Sequence, residues 1–567
     1  MMNRNILYIA VAALLMLVAV SCEKDDTLPV VPVEEITLSA VTGNILTKSV
    51  MGPEGMDGES KYHPVMWSRN DAIAVINNGR IYKFVVSGES VNSTEGSFKL
   101  DLSSLPRDYK EGDFRPEKPI KAFYPYEGVK YDSIAQSISY NVPQKQNFRV
   151  ISTPIGDGMT LTSTSFDQGA MPMAAYSASA YDTLNFRNLF GVLKLQVEGA
   201  PGEIVESIEV TSTNLLNGEA NVIIGEGYGG VPDVSIYLSE KEVKGKSSVE
   251  NKKVTLVCGS DGQSITTVKD FLITLPPRTI DVGCLFRTSR GTFYKTISDH
   301  KEDDKAMVEG EVYLFPAFKT TDLSPAYMEN GIYLGDGVVL PKSADGSQTL
   351  VWAPVNCGYV AQLKDGGKIL DRGFLYGKLY QWGRKDGQGY KDNSYEDETY
   401  PGDVSVLEGG TPAADKFYYG WTVAASQWPA DADPCPEGWR VPTGEELMSL
   451  LPGLSQNDYV TGLLSHWTSS NPDKKSEHYG LPGFFFYGNT TETTGNKVFL
   501  PAAGFRTFDF AGAHVRGLSG CYWSSSANGA DGAWYMDFNR KGYIDTYYAH
   551  QANGRSVRCV MESDYRN

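Results

Sequence analysis

Short segments in which apolar and polar residues alternate recur along most of the chain, and they constrain its fold more than any other feature. In residues 71–86, DAIAVI is followed by Asn77-Asn78-Gly79 and then by RIYKFVV. An Asn-Gly turn between two alternating apolar runs is typical of a β-hairpin. Similar runs lie at residues 36–41, 121–126, 137–142, 185–198, 207–213, 234–238, 253–257, 271–275, 292–297 and 311–318. Short strands at this spacing predict a mainly β protein built from sandwiches.

One of these segments also predicts its own burial. Between residues 185 and 198, one face of the strand carries Leu193, Leu195 and Val197, and the other carries Val192, Lys194, Gln196 and Glu198. Alternation of this kind is typical of a strand with one face on a core and the other in water. We therefore expect Lys194 to be solvated.

Length and charge limit the architecture and the partners. A chain of 567 residues is too long for one hydrophobic core, so we expect two to four domains. Its formal net charge is -18, and no basic stripe with interleaved aromatic residues offsets that charge. Nucleic acid is therefore not an expected partner.

The first 22 residues have the organisation of a bacterial export signal. Arg4 precedes an apolar run at residues 6–20, which is shorter than the roughly 20 residues that a membrane-spanning helix needs. The run ends Ala19-Val20-Ser21-Cys22, which resembles the lipobox at which a lipoprotein is cleaved and acylated on its cysteine. The alternative is an ordinary signal peptide with a coincidental cysteine. The resemblance predicts lipidation, including palmitate, at Cys22.

The residues after Cys22 predict a tether and a destination. Glu23-Lys24-Asp25-Asp26 resembles the lipoprotein export signal of Bacteroidota, which implies the outer leaflet of the outer membrane. A solvated charge cluster is the alternative interpretation. Residues 23–33 are charged and then proline-rich, and they suit an extended tether.

Residues 34–319 contain five short motifs in a recognisable order. These are WSRND at 67–71, KAFYPY at 121–126, NVPQKQ at 141–146, FRNLFGVLKLQV at 186–197 and ITLPP at 273–277. Together they resemble the fimbrillin family of Bacteroidota pilus proteins. The resemblance implies two tandem transthyretin-like β-sandwiches, which we place at residues 34–165 and 166–319.

The same resemblance implies a mode of assembly. Fimbrillin-like subunits lose their first strand to a trypsin-like protease and accept a strand from a neighbour instead. Lys48, followed by Ser49, stands directly after the predicted strand at residues 36–41 and matches the cleavage position. An exposed loop lysine is the alternative. We therefore expect a β-strand upstream of Lys48 that lies within a sheet.

The last part of the chain has a different character, with frequent glycine and tryptophan. Thr443-Gly444-Glu445-Glu446 has the form of a capping box and begins a predicted helix that carries Leu447, Leu450 and Leu451 and stops at Pro452-Gly453. The motifs CPEGWRVPT at 435–443, YWSSS at 522–526 and SVRCV at 556–560 resemble the Fibrobacter succinogenes major paralogous domain. This family resembles an α+β C-type-lectin-like fold, which we place at residues 330–562.

Cysteines in an exported chain are expected to form disulfides. The resemblance implies a bond between Cys435 and Cys559. Cys357 with Cys521 is a further suggestion, while Cys258 and Cys284 lie in strand-like sequence and have no assigned partner. No cysteine stands in a C-x-x-C pair or near histidine at zinc spacing, so we predict no metal site.

No catalytic constellation is evident, and we predict no enzyme and no cofactor. The six histidines show no metal-binding spacing, and the serines at 524–526 lack a nucleophile elbow and are expected to satisfy buried backbone groups. For sugar binding the candidates are Asn471-Pro472-Asp473, with a plain turn as the alternative, and the aromatic residues, with core packing as the alternative. The aromatic candidates are Trp467, Phe484, Phe485, Phe486 and Tyr487.

These features predict a surface-exposed pilus subunit, a tip adhesin that assembles by donor-strand exchange and presents a lectin-like domain. Its expected partners are other pilus subunits, the outer membrane through its lipid, and a glycan or a surface protein. One alternative is a surface lipoprotein that binds glycans and never polymerises. Another is an enzyme on the related formylglycine-generating scaffold, which would need a reactive cysteine pair.

Overall fold

A computed structural model gives the fold of most of the chain. It describes residues 36–42, 44–46, 55–57, 60–88, 93–156, 159–228, 231–239, 251–297, 306–359, 364–365, 368–369, 373–387, 406–407, 417–418, 420–455, 459–463, 466–473, 476, 478–491, 494–507 and 513–561. The predicted signal peptide, Cys22, the tether, Lys48 and Ser49 lie outside the described residues. Within the described part, no helix is long and apolar enough to cross a membrane.

Among the residues that the structure describes, sixteen strands precede residue 190. They are β1 (Thr37–Val41), β2 (Asn44–Leu46), β3 (Gly55–Asp57), β4 (Ser60–Pro64), β5 (Ala72–Asn77), β6 (Arg80–Val86), β7 (Glu95–Leu100), β8 (Ile120–Tyr124), β9 (Lys130–Asp132), β10 (Ser137–Val142), β11 (Lys145–Asn147), β12 (Arg149–Gly156), β13 (Met159–Ser165), β14 (Met173–Ser177), β15 (Leu184–Asn185) and β16 (Arg187–Asn188). The predicted hairpin is present as β5 and β6. Asn78 and Gly79 between them have φ of 48° and 77°, as a tight hairpin turn requires.

Eleven more strands follow before residue 320 in the described ranges. They are β17 (Gly191–Glu198), β18 (Ile204–Thr211), β19 (Gly218–Gly225), β20 (Asp233–Leu238), β21 (Lys253–Val257), β22 (Gln263–Ser264), β23 (Lys269–Leu275), β24 (Gly283–Thr288), β25 (Gly291–Thr296), β26 (Val312–Leu314) and β27 (Phe318–Lys319). The prediction of a mainly β protein is confirmed.

These strands build two sandwiches, each with its own apolar core. The first sandwich has an eight-stranded sheet in the order β15-β1-β7-β6-β5-β8-β14-β16 and a four-stranded sheet in the order β20-β19-β10-β9. The second has one sheet in the order β11-β21-β18-β24-β25, with β22 on β18, and another in the order β23-β17-β26, with β27 on β17. Two smaller sheets, β2-β4-β3 and β12-β13, complete this part.

The division of strands between the two sandwiches does not follow the predicted boundary between residues 165 and 166. Strands β14, β15 and β16 follow that boundary but pair within the first sandwich, and so does the hairpin of β19 and β20. In the reverse direction, β11 precedes the boundary but pairs with β21 of the second sandwich. The reason is burial, because Met173, Ala174 and Val222 belong to the first core. The first core therefore takes strands from both sides of the predicted boundary.

The predicted wet face of β17 is also wrong. Lys194 is only 6% exposed, and its Nζ lies 2.7 Å from the Asp270 carboxylate on β23. Val192 on the same face belongs to the first core, whereas Leu193 and Leu195 belong to the second. Because β17 has a core against each face, its buried lysine needs an acidic partner instead of water, and the half-buried Asp270 provides it.

The C-terminal part contains many short strands. They are β28 (Ala326–Glu329), β29 (Ile332–Asp336), β30 (Val338–Pro341), β31 (Thr349–Trp352), β32 (Lys364–Asp365), β33 (Lys368–Ile369), β34 (Leu379–Gln381), β35 (Val406–Leu407), β36 (Phe417–Tyr418), β37 (Trp439–Arg440), β38 (Tyr459–Val460), β39 (Trp467–Thr468), β40 (Gly483–Phe486), β41 (Val498–Pro501), β42 (Phe505–Arg506), β43 (Ala513–His514), β44 (Ser519–Asn528), β45 (Gly532–Asn539), β46 (Ile544–His550), β47 (Gly554–Ser556) and β48 (Val560–Met561). The largest sheet has the order β38-β46-β45-β44-β47-β42-β43, with β34 on β47. Sheets β30-β31-β48-β37 and β39-β40-β41 pack beside it, and β28-β29, β32-β33 and β35-β36 form separate two-stranded sheets.

The one α-helix among the described residues is α1 (Gly444–Met448), and its predicted capping box is present. The Glu446 amide donates to Thr443 Oγ1 at 3.2 Å, and the Thr443 amide donates to Glu446 Oε2 at 2.9 Å. Burial alone would raise the pKa of Glu446, but hydrogen bonds from Arg440 and from the Thr443 amide lower it to about 2. Leu447, Leu450 and Leu451 are all buried, although the helix itself ends before the last two.

Candidate functional site

Strand β1 is an integral part of the first sandwich. It pairs antiparallel with β7 from Thr37 opposite Lys99 to Val41 opposite Glu95, and its last two residues pair parallel with β15. The Phe186 amide also donates to the Val41 carbonyl at 2.9 Å. The expected β-strand upstream of Lys48 is therefore present within a sheet.

The side chains of β1 alternate strictly between core and solvent. Leu38 is 0% exposed and Ala40 is 1% exposed, whereas Thr37 and Ser39 face water. Ala40 lies opposite Gly96, where an added Cβ would approach the Trp67 ring to 2.7 Å. Burying a leucine side chain contributes about 2 kcal/mol, so β1 adds both apolar contacts and a backbone ladder to the sandwich.

The aromatic cluster on which β1 packs is extensive. Trp67 meets Phe98 edge-on at 4.8 Å between ring centroids, and it meets Phe186 at 5.5 Å and Tyr124 at 5.8 Å in the same manner. All four belong to the core that contains Leu38 and Ala40. Without β1, this cluster would border an open groove, and β7 would keep β6 on one side but lose its partner strand on the other.

In the C-terminal part, Cys435 and Cys559 form a disulfide with an S–S distance of 2.04 Å. The implied pairing is thus present. The suggested bond between Cys357 and Cys521 is wrong, because both are free and buried, as are Cys258 and Cys284. Cys357 Sγ instead donates to the Pro434 carbonyl at 3.1 Å and accepts from the Tyr380 hydroxyl at 3.2 Å. Burial raises the pKa of Cys357 well above its usual range, so this thiol stays protonated.

Two of the three serines of the YWSSS motif bond to backbone groups, as predicted, and the third bonds to a side chain. Ser524 Oγ donates to the Trp534 carbonyl at 2.9 Å, and Ser525 Oγ donates to Gln427 Oε1 at 3.0 Å. Ser526 Oγ accepts from the Gly444 amide at the start of α1 at 3.1 Å. Across the described residues, no group of three or more His, Cys, Asp or Glu side chains is placed to hold a metal ion.

Asn471-Pro472-Asp473 forms a turn. Asn471 is 1% exposed, its Oδ1 accepts from the Asp473 amide at 3.0 Å, and its Nδ2 donates to Ser476 Oγ at 3.2 Å. The amide of Asn471 is therefore engaged within the turn, and the plain-turn interpretation holds for it. Asp473 is exposed and lines a cleft.

The aromatic candidates separate into two groups. Phe484 and Phe486 are fully buried in a core, and Trp467 packs against that core from its edge. Tyr487 lies half-buried, with its ring 5.6 Å from that of His466. Phe485 points the other way on β40 and lines the same cleft as Asp473. Among these aromatic residues, the structure brings Phe485 together with a polar candidate.

This cleft has a volume of about 350 Å³ and lies between strands β40 and β41, strands β29 and β30, and the described residues Asn471, Asp473, Ser476 and His478. Lys497 Nζ stands 4.5 Å above the centroid of the Phe485 ring, and the Phe499 ring lies 4.9 Å from Phe485 on the cleft wall. His478 also lines the cleft, is 2% exposed, and has no hydrogen-bond partner at Nε2.

Sequence reasoning missed His478 and Lys497. Neither residue stands in a motif, and a scattered histidine is most often an ordinary surface or core residue. Only the approach of β40 and β41 to the turn at residues 471–473 places them beside Asp473 and Phe485. A lysine directly before the apolar run at 498–501 is the local signal at Lys497.

A second polar cluster lies on the face of the large sheet, where Asp537 on β45 is opposite Asp545 on β46. Burial raises the pKa of Asp537 to about 6 against the lowering effect of the Arg555 guanidinium, and the Asp545 carboxyl adds to the rise. A carboxyl whose pKa is higher in the folded state favours folding at low pH. That stabilisation is lost as pH rises from about 4, the pKa of an unfolded aspartate, through about 6.

Replacing Asp537 with asparagine is therefore expected to stabilise the protein at pH 7 by about 1–2 kcal/mol, since a buried charge is removed. The substitution should also flatten the dependence of stability on pH between 4 and 7. Denaturant unfolding at pH 4.5 and pH 7 measures both effects. Asp531→Asn, at an exposed turn position, is the control. If Asp537→Asn and Asp531→Asn are equally stable at pH 7, the charge on Asp537 does not destabilise the folded protein.

Comparison with known proteins gives one family match, over part of the chain. Residues 349–561 match the profile of the Fibrobacter succinogenes major domain. This region contains the disulfide, α1 and the cleft-lining turn. Among curated proteins, none matches the sequence.

Solved structures give more distant similarities. One is provisionally described as a cell adhesion protein from Bacteroides uniformis, with 12% identity, a TM-score of 0.28, and coverage of 53% of this chain and 98% of that chain. The tip fimbrial protein Mfa3 from Porphyromonas gingivalis, truncated at its C-terminus, has 10% identity, a TM-score of 0.20, and coverage of 49% and 92%. A fimbrial protein from Bacteroides ovatus has 11% identity, a TM-score of 0.18, and coverage of 88% and 95%. TM-scores below 0.5 support no inference about function.

Proposed function

We propose that the chain is a fimbrial adhesin subunit of the bacterial cell surface. In this proposal, a lipid on Cys22 anchors the precursor in the outer membrane, and cleavage after Lys48 removes the first strand. A strand from another pilus subunit then fills the groove by donor-strand exchange. The C-terminal domain at residues 330–562 is presented at the pilus tip and binds a ligand without catalysing a reaction.

The observation that carries this proposal is the position of β1. It is short, near the N-terminus and upstream of a basic residue, yet its Leu38 and Ala40 side chains are buried in the core of the first sandwich. A segment of this kind is removable in one cut and leaves a groove that another strand of similar pattern fits. Cleavage after Lys48 would also remove β2, which pairs with β4.

The backbone pairing between β1 and β7 favours replacement of β1 by a donor strand over loss of β1 without replacement. The backbone of β7 faces β1 along five residues, so trimming exposes a row of unpaired donors and acceptors beside the aromatic cluster of Trp67 and Phe98. An unpaired strand edge of this kind readily pairs with another β-strand. A donor with small or aliphatic residues at alternating positions would restore both the ladder and the core contacts.

The other end of the fimbrillin-like part supports a tip position. Its last strands, β26 and β27, both pair parallel with β17, and the chain then continues into the C-terminal part. A subunit with this order accepts a strand but has no free C-terminal strand to donate. Antibody against residues 330–562 should therefore label pilus ends, and label spread along the shafts would exclude the tip position.

Capture of a donor strand by the purified chain tests the proposal. Limited digestion with a trypsin-like protease, in the presence of a synthetic strand peptide or a stalk subunit, is expected to yield a complex that resists dissociation. Lys48→Ala should prevent this, and Lys130→Ala, at an exposed position of the same sandwich, should not. Complex formation without cleavage, or cleavage without capture, would contradict the proposal.

The second candidate function is a surface lipoprotein that binds glycans and never polymerises. The cleft in the C-terminal domain favours a binding role under either proposal. The two differ in the fate of residues 23–48, which a non-polymerising lipoprotein would retain.

A further inference from the structure

The core beneath β1 contains a buried polar group without a partner, the indole N–H of Trp67. The Trp67 side chain is fully buried, and its Nε1 has no hydrogen-bond acceptor. An indole N–H can only donate, and a buried donor without an acceptor costs free energy. Because buried polar groups in folded proteins almost always have partners, this N–H points to an acceptor that the chain itself does not supply.

The unpaired N–H lies where β1 meets β7. A Cβ added to Gly96 of β7 would lie 2.8 Å from Trp67 Nε1, so this edge of the indole covers Gly96. Gly96 is opposite Ala40 of β1, and both residues face the core. The Cβ atoms of directly opposite residues in an antiparallel pair are about 5 Å apart on the same face of the sheet. The indole edge therefore lies beside the Ala40 side chain, a methyl group that cannot accept a hydrogen bond.

Two residues further along, the chain already places a buried hydroxyl in this region. Thr42 is buried, and its Oγ1 donates to the Val65 carbonyl. A hydroxyl is therefore compatible with the buried side of this segment where a polar group stands near it. At position 40 the side chain must also be small, because Ala40 is 1% exposed and the indole fills the space above Gly96.

We propose that the donor strand of the neighbouring pilus subunit carries a serine at the position of Ala40, and that the serine hydroxyl accepts a hydrogen bond from Trp67 Nε1. The donor runs antiparallel to β7, as β1 does, and an aliphatic residue two positions before the serine takes the place of Leu38 opposite Phe98. Serine differs from alanine by one oxygen atom, which suits the small space.

The chain's own β1 lacks this hydrogen bond, which favours its replacement by a donor that makes it. The groove therefore selects a strand with the order aliphatic residue, any residue, serine. This inference rests on the proposed donor-strand exchange and names the residue that the groove recognises.

Ala40→Ser in the intact chain tests the pairing with Trp67. The equilibrium constant for folding, measured by denaturant unfolding, should rise about fivefold, the effect of one hydrogen bond. The NMR signal of the Trp67 indole proton should move downfield. Ala122→Ser is the matched control, because Ala122 is equally buried in the same core but lies on β8, and it should lower the constant. In a Trp67→Phe background, Ala40→Ser should also lower it, since the hydroxyl then has no donor. An effect of Ala40→Ser that Trp67→Phe leaves unchanged, or a loss as large as that of Ala122→Ser, would overturn the inference.

Two synthetic peptides test the selection of the donor on the full chain cut after Lys48. One repeats residues 35–42, EITLSAVT, and the other is EITLSSVT, with the substitution Ala40→Ser. The second should bind about fivefold more tightly in titration calorimetry, and this advantage should disappear in the Trp67→Phe chain. A third peptide, EITSSAVT, with Leu38→Ser, should bind more weakly than both. Equal affinity of the first two peptides would overturn the serine selection alone, whereas binding of none of the three would overturn the strand exchange on which the inference rests.

Discussion

Replacing Leu38 with aspartate is expected to lower the free energy of unfolding of the first sandwich by about 4 kcal/mol or more. Leu38 is fully buried opposite Phe98, and the core around it is aromatic and aliphatic. The substitution removes an apolar side chain, which alone costs about 2–5 kcal/mol, and places a carboxylate where it has no partner. Denaturant unfolding of the unprocessed chain, followed through the fluorescence of Trp67 and the other tryptophans, measures the loss.

Ser39→Asp provides the matched control, because Ser39 belongs to the same strand but faces water. It should change stability by no more than about 0.5 kcal/mol. The donor-strand account adds a second expectation. Once the chain is cut after Lys48, the Leu38→Asp and unmodified proteins should capture a donor strand equally well, because the substituted strand is gone. A persistent defect after cleavage would mean that β1 is retained.

Removing the disulfide by Cys435→Ala and Cys559→Ala is expected to destabilise the C-terminal domain by about 2–5 kcal/mol. The bond closes a loop of 124 residues, and cross-links that close long loops restrict the unfolded chain most. It also joins the segment before α1 to the region of β48, near the last described residues. Thermal unfolding of the domain, with and without a reducing agent, measures the effect.

Reduction itself is the control for this prediction. The unmodified protein should lose a similar amount of stability when reduced, whereas the double variant should be insensitive to the reducing agent. Cys357, Cys284, Cys258 and Cys521 remain as buried free thiols in both proteins, so they do not contribute to the difference. Insensitivity of the unmodified protein to reduction would contradict the assigned role of the bond.

Local signals in the sequence predicted much of the fold. The Asn77–Gly79 turn and the capping box at Thr443 both depend on residues close in sequence, so a few neighbours determine their geometry. Strands such as Ser137–Val142 and Lys253–Val257 coincide with the predicted alternating segments. The reason is that successive side chains of a strand point to opposite faces of the sheet, so each apolar or polar residue indicates its own face. The disulfide was implied by a resemblance whose motifs surround both cysteines.

Features that depend on distant pairing could not be predicted in the same way. The hairpin of β19 and β20 joins the first sandwich by pairing with β10, some eighty residues earlier, and no local pattern indicates that choice. Lys194 looked solvated because alternation does not reveal that a strand has a core on each face. The cleft has the same origin, since His478 and Lys497 become neighbours of Phe485 only through the fold.

Sequencing the N-terminus of the protein isolated from the cell surface tests the central claim most directly. If a neighbouring subunit replaces β1, surface material should begin at Ser49 and lack residues 23–48, while the first sandwich remains folded. An intact segment that still carries acylated Cys22 and β1 would contradict the account. It would leave the groove permanently occupied by the chain's own strand.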